Sequence, residues 1–190
     1  MVWIRIIEPT QASGELADSY RRLGAPPARL DHIILAHSER PHTLDGHMAL
    51  YKSVLHHRAN TLDTALAEAI GVRVSLINGC EYCVAHHAHG LERALADEER
   101  TRRWLAALKD GSFEDVYDPG QVQALLYAER LTRTPDHMRH EDIESLRESG
   151  WSDGEILEIN QVAAYFAYAN RTVLGLGVAI EEASASIRER

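Results

Sequence analysis

The stretch from Leu62 to Ile77 constrains this chain more than any other. Leu62, Ala65, Leu66, Ala69, Ile70, Val72 and Leu76 leave it apolar on most sides. A helix of that kind belongs in the centre of a bundle or at a subunit interface, because no face of it suits water. The rest of the chain follows the same periodicity. Few stretches alternate apolar and polar residues long enough for a strand, so the expected class is all-α.

Capping residues and breakers divide the chain into helices. One is expected from about Gln11 to Leu23, stopped by Gly24 and Pro26-Pro27, after an extended arm over residues 1–8. Others run from about Ala28 to His37, and from Pro41 to about His57 with Leu44, Met48, Tyr51 and Leu55 on one face. The apolar helix starts near Thr61 or Asp63. A fifth helix spans about Gly79 to Ala96, and a sixth about Asp97 to Leu108. Asp118 and Pro119 form an N-cap and N1 pair for a helix to about Leu131. His140 to Glu148 is a short helix closed by Gly150, and Ser152 with Glu155 is a capping box that opens a long final helix, loosened at its end by Gly175 and Gly177. Asn170-Arg171 interrupts that helix, and a buried arginine there is expected to find an ionic partner.

Charge narrows the function. The 190 residues hold 29 acidic against 20 basic side chains, a net charge of −9. That balance opposes a dedicated nucleic-acid binder and docking on an anionic membrane. No stretch reads as a bilayer span, and Met1 to Glu8 is too short and acidic for a secretory signal, so a cytoplasmic location is expected. Two cysteines, Cys80 and Cys83, rule out a disulfide framework and leave a redox or metal role.

The chemistry gathers in Asn78-Gly-Cys-Glu-Tyr-Cys-Val-Ala-His-His-Ala-His89. Asn78 as N-cap and Glu81 three residues on make a capping box, which puts Cys80 in the first helical turn. Positions 80, 83 and 87 share a helix face. A helix N-terminus favours thiolate, and His87, four residues past Cys83, is placed to take its proton. Rival readings are a reduced pair in the core, and zinc bound with His87 and His86 or His89; the zinc site lacks an obvious fourth ligand, so no metal and no other cofactor is expected. Haem attachment needs histidine where Val84 stands, and a thioredoxin-type site would follow a strand. Glu68 alone reads as a solvated glutamate; read with His87, it is a buried carboxylate that orients the imidazole and shuttles protons. The chain has 11 histidines, most of them expected to serve packing or the surface.

Glu68, Cys80, Cys83 and His87 together spell Glu-x11-Cys-x2-Cys-x3-His. This pattern resembles the alkylhydroperoxidase D-like (AhpD-like) group of the carboxymuconolactone decarboxylase superfamily. Ile33-Ile-Leu-Ala-His-Ser38 before Pro41, and Ala169-Asn-Arg-Thr-Val-Leu-Gly-Leu-Gly177, look like its peroxidase-related branch. The resemblance implies an AhpD-like helical bundle: an N-terminal helical arm over 1–39, a core over 40–117, and an additional C-terminal helical lobe over 118–190 packed on the core. It also implies trimers or hexamers and no cofactor.

The resemblance implies a thiol-dependent peroxidase that reduces organic hydroperoxides or hydrogen peroxide through a dithiol/disulfide cycle, reset by a small dithiol or lipoyl-type reductant. Carried over by position, Cys83 is the peroxidatic thiol, Cys80 the resolving one, and His87 and Glu68 the proton relay. The helix-face argument likewise gives attack to Cys83. Tyr82 departs from the family's peroxidases, which place a second histidine there; a phenol of pKa about 10 is no base near neutrality. The alternatives are a decarboxylase of the superfamily's namesake type, which leaves the dithiol unexplained, and a non-enzymatic redox-sensing oligomer.

Overall fold

The computed structural model describes residues 2–24, 26 and 30–181, and the order of helices is α1 Gly14–Leu23, α2 His32–Ala36, α3 Pro41–Leu55, α4 Thr64–Ile77, α5 Glu81–Leu95, α6 Glu98–Asp110, α7 Pro119–Arg133, α8 His140–Glu148 and α9 Asp153–Leu176. No strand occurs among the described residues. The expected second helix begins at His32 rather than near Ala28, which lies outside the described residues.

Local chemistry accounts for most of these boundaries. The Asp63 carboxylate accepts from Leu66 N at 3.0 Å, and Asp97 from Arg100 N at 2.9 Å, so each caps the helix that follows. Asp118 and Gln121 close a capping box ahead of α7. Ser152 and Glu155 exchange backbone and side-chain bonds at the start of α9. Gly150, at φ 95°, follows α8 where other residues would be strained.

The chain divides into two compact units. One contains residues up to 53 and those from 171 onward. Its core joins Leu16, Tyr20, Leu30, Ile34, Leu35 and Leu44. His37 and His47 are also buried there, rings 5.2 Å apart. Residues 2–8 form no regular element, but Trp3 N donates to Leu176 O at 2.9 Å and its indole lies against Gly177, where a Cβ would sit 2.1 Å from the ring.

The other unit, residues 54–170, is built around α4. Residues Ala65 through Ser75 are all buried, with α5, α6 and α7 packed against the helix. Gly71 lets α9 approach: a Cβ there would meet the Phe166 ring at 2.2 Å. The unit therefore covers its most apolar helix from within, and the helix's composition does not by itself demand a partner chain. Two charges are buried on α4. Arg73 donates to Glu129 of α7 at 2.7 Å and to Leu108 O at 2.7 Å, beneath the Phe113 ring. Glu68 belongs to the candidate site. The buried arginine is thus Arg73, while Arg171 is exposed; α9 runs through Asn170 and Arg171 without a break because the asparagine, wholly buried, finds its hydrogen bonds on other elements.

Candidate functional site

The site forms where α4 ends and α5 begins. Its capping differs from the sequence expectation. Asn78 is the C-cap of α4, not the N-cap of α5, and Gly79 at φ 67° turns the chain. Cys80 is the N-cap of α5, so Glu81 is its first residue rather than its third. The Asn78 amide donates to Asn170 Oδ1 of α9 at 2.9 Å. Cys83 consequently occupies the third position of α5, and the Cys80 side chain makes no capping hydrogen bond.

Both thiols are buried, Cys80 completely. Both are free cysteines. Cys80 is held below the ordinary thiol value, first by the hydrogen bond from the Cys83 thiol, and then, against burial, by the Cys83 backbone N–H, the Asn170 amide and the charge of His86. Cys83 is pushed up, because its hydrogen is given to Cys80, because it is buried, and because Cys80 carries the charge.

Glu68 and His87 come together as the sequence pattern suggests. His87 Nδ1 and Glu68 Oε2 are 2.7 Å apart, both side chains largely shielded from water. A carboxylate only accepts, so Nδ1 carries the hydrogen and Nε2 presents its lone pair. Gly90 makes this possible: a Cβ there would lie 2.6 Å from the Glu68 carboxylate. The edge of His87 packs on Phe166, ring centroids 4.4 Å apart. Tyr82, in the departing position, is buried and stacks on His86 at 4.3 Å.

Residues beyond the four-residue pattern complete the site. Asn170 Nδ2 donates to Ser75 Oγ at 3.0 Å, and its amide acts to lower the pKa of both thiols. A cavity of about 270 Å³ lies between Val54, Leu55, His56, Asn60, Leu62 and Ala67, the last adjoining Glu68 in sequence. The pKa of His56 is lowered, chiefly by burial; the charge of Glu68 raises it and His87 and Arg93 lower it, so this imidazole shares the field of the Glu68–His87 pair.

Residues 41–129 match the carboxymuconolactone decarboxylase family. The chain has the AhpD-like helical fold. It is similar over 96% of its length to an uncharacterized peroxidase-related protein of Ralstonia eutropha JMP134 with an alkylhydroperoxidase AhpD core, at TM-score 0.82 and 18% identity over 94% of that chain. A peroxidase-related protein of Silicibacter sp. TM1040 gives TM-score 0.79 and 20% identity, covering 96% of this chain and 93% of the other. The debrominase Bmp8, solved in complex with 2,3,4-tribromopyrrole, gives TM-score 0.76 and 22% identity over 100% of this chain and 98% of its own. The uncharacterized protein YdfG of Bacillus subtilis (strain 168) is 27% identical over 125 residues, 63% of this chain and 79% of that protein. Among the described residues no helix is long and apolar enough to cross a membrane.

Proposed function

We propose that the protein reduces peroxides, organic hydroperoxides foremost, through Cys80 and Cys83, with Glu68 and His87 moving the protons. The observation that carries this reading is the shielded 2.7 Å Glu68–His87 bond, which fixes one imidazole tautomer on the helix that bears the dithiol. A decarboxylase would have no use for a dithiol, and a redox sensor none for an oriented base.

The roles of the sulfurs follow the charge rather than the shared helix face. Cys80 thiolate attacks the terminal peroxide oxygen; the S–O bond forms and the O–O bond breaks, leaving a sulfenic acid and an alkoxide. His87 Nε2 takes the Cys80 proton as the thiol ionises and gives it to the alkoxide, and Glu68 steadies the imidazolium meanwhile. Cys83 then attacks the sulfenyl sulfur; the disulfide forms, and hydroxide leaves with the Cys83 proton as water. One peroxide and two thiols give one alcohol, one water and one disulfide. A small dithiol or lipoyl-type reductant restores the pair by thiol–disulfide exchange.

Mass spectrometry of the reduced protein before and after one equivalent of cumene hydroperoxide tests the reading. The expected result is loss of two hydrogens and a Cys80–Cys83 linked peptide, with peroxide consumed catalytically when dithiothreitol is present. Thiols that survive the treatment would overturn it. A brominated pyrrole forms a second arm, motivated by the likeness to Bmp8: bromide release without peroxide consumption would move the dithiol's substrate to a carbon–halogen bond.

A further inference from the structure

The cavity of about 270 Å³ between the end of α3 and the start of α4 has a floor and a mouth of different chemistry. Val54, Leu55, Leu62 and Ala67, all buried, make the floor apolar. His57 and Thr64, both exposed, stand at the mouth. The loop between the two helices is held in one shape. Asn60 Nδ2 donates to Val54 O at 2.8 Å, and Asn60 N to His57 O at 3.0 Å. The Glu158 carboxylate of α9 accepts from Thr61 N at 3.0 Å and from Leu62 N at 2.6 Å. An apolar, largely pre-formed concavity is what a small-molecule site requires.

Size and charge say what it takes. A cavity of about 150 Å³ admits benzene, so this one has room for about ten non-hydrogen atoms. The walls, residues 54–68 with Glu158 upon them, carry the carboxylates of Asp63, Glu68 and Glu158 against the guanidinium of Arg58 alone. That balance disfavours an anion. Position ties the cavity to the proton pair. Ala67 immediately precedes Glu68 on α4, and Glu68 holds His87 at 2.7 Å. His56, which also lines the cavity, feels the charges of both. In peroxide reduction the leaving alkoxide takes its proton from His87, so the organic group it carries must lie close to that imidazole.

We propose that this cavity binds a compact, neutral organic molecule, and that in catalysis it holds the aryl or tertiary alkyl group of a hydroperoxide. The second clause rests on the peroxidase reading above and narrows its substrate; the first does not depend on it. Long-chain and carboxylated hydroperoxides are excluded, the former by volume and the latter by charge.

The test begins without peroxide. Thr64→Trp and His57→Trp each narrow the mouth from an exposed position and leave the apolar floor intact. Cumyl alcohol, the reduction product of cumene hydroperoxide, is titrated against the reduced wild type and both variants by ligand-observed NMR, with benzoate as an anion of similar size. The alcohol should bind the wild type, more tightly than benzoate, and should lose about tenfold or more in affinity in Thr64→Trp. In turnover with dithiothreitol, the ratio of kcat/KM for cumene hydroperoxide to that for hydrogen peroxide should also fall about tenfold in Thr64→Trp, because only the organic substrate fills the cavity. An alcohol that does not bind the wild type, equal affinity in all three proteins, or benzoate bound as tightly as the alcohol would overturn the proposal. Where circular dichroism shows that Thr64→Trp does not fold, His57→Trp decides the matter by the same two readouts. The outcomes separate the two readings. Alcohol binding that the variants lose, in a protein that ignores peroxide, keeps the pocket and sinks the peroxidase. Rapid peroxide reduction with an unchanged ratio keeps the peroxidase and sinks the pocket.

Discussion

Gly90→Ala is the smallest change that reaches the centre of the site, and its effect follows from the geometry. Gly90 is a buried helical residue of α5, and a Cβ on it would stand 2.6 Å from both Cδ and Oε1 of Glu68 and 2.7 Å from Oε2. To regain ordinary contact the carboxylate must retreat by about 0.8 Å. Taken away from α5, that movement stretches the 2.7 Å bond to His87 to the limit of a useful hydrogen bond. Two terms then oppose each other in stability. Alanine for glycine inside a helix gains about 0.5–1 kcal/mol, whereas loss of a charge-assisted bond in a shielded place costs about 1.5–3 kcal/mol. The expected net is a loss of about 1–2 kcal/mol, or a fall in Tm of roughly 2–8 °C for a chain of this size.

Activity should suffer more than stability. Without Glu68 on Nδ1 the imidazole is free to change tautomer and turn its protonated nitrogen toward the sulfurs. The single-turnover rate of thiol oxidation by peroxide at neutral pH should fall about 10- to 100-fold, the lower part of what a positioned base contributes. Glu68→Gln, which keeps the shape and removes the charge, should match it in rate. Stopped-flow oxidation and thermal unfolding of the three proteins test this together. A Gly90→Ala protein that is more stable than the wild type and oxidises at the wild-type rate would refute the reasoning, since the carboxylate would then have moved without consequence.

Three further outcomes are expected. Dimedone trapping should label Cys80 rapidly in Cys83→Ser and Cys83 slowly in Cys80→Ser; the reverse order would restore attack to Cys83. His47 has its pKa lowered to about 4, by burial first and then by the charge of His37, so above pH 6.5 both folded and unfolded chains are neutral there and nothing is lost; as pH falls below 6.5 the unfolded chain takes a proton the folded one refuses, and about 2 kcal/mol should be gone by pH 5. Urea unfolding at pH 7 and pH 5 should show that loss in the wild type and a smaller one in His47→Gln; equal losses would clear His47 of responsibility. Glu129→Gln leaves the Arg73 guanidinium buried without its ionic partner and should cost about 2–4 kcal/mol in chemical denaturation at neutral pH, a loss that near-wild-type stability would contradict.

How much of this was open to sequence reasoning depends on how far each cause lies along the chain. Helix starts set by Asp63, Asp97, Asp118 and Ser152 were legible because cap and capped amide lie three residues apart. The start of α5 was misread for the opposite reason. Asn78 has the right chemistry for an N-cap, yet it ends α4, its amide donating to Asn170 92 residues on, and a local pattern registers neither. Arg171 was misread in the same way: the polar pair on α9 announced something buried, and the buried member is the asparagine.

The Glu68–His87 pair was legible only through its spacing to the cysteines, since an isolated glutamate in an apolar helix carries no sign of its partner. Gly71 and Gly90 carried no signal either, because the reason for each is a side chain on another helix, Phe166 for one and Glu68 for the other.

That misplaced cap also changes the chemistry assigned to the site. With Cys80 inside the first turn, the two thiols differ mainly in their distance from His87, and the nearer one appears the better nucleophile. With Cys80 as the cap itself, the Cys83 thiol and backbone N–H and the Asn170 amide all act to lower its pKa, while burial and the charge of Cys80 act to raise that of Cys83. The proposal that Cys80 attacks thus follows a two-residue shift in where the helix begins, and the order of dimedone labelling decides it.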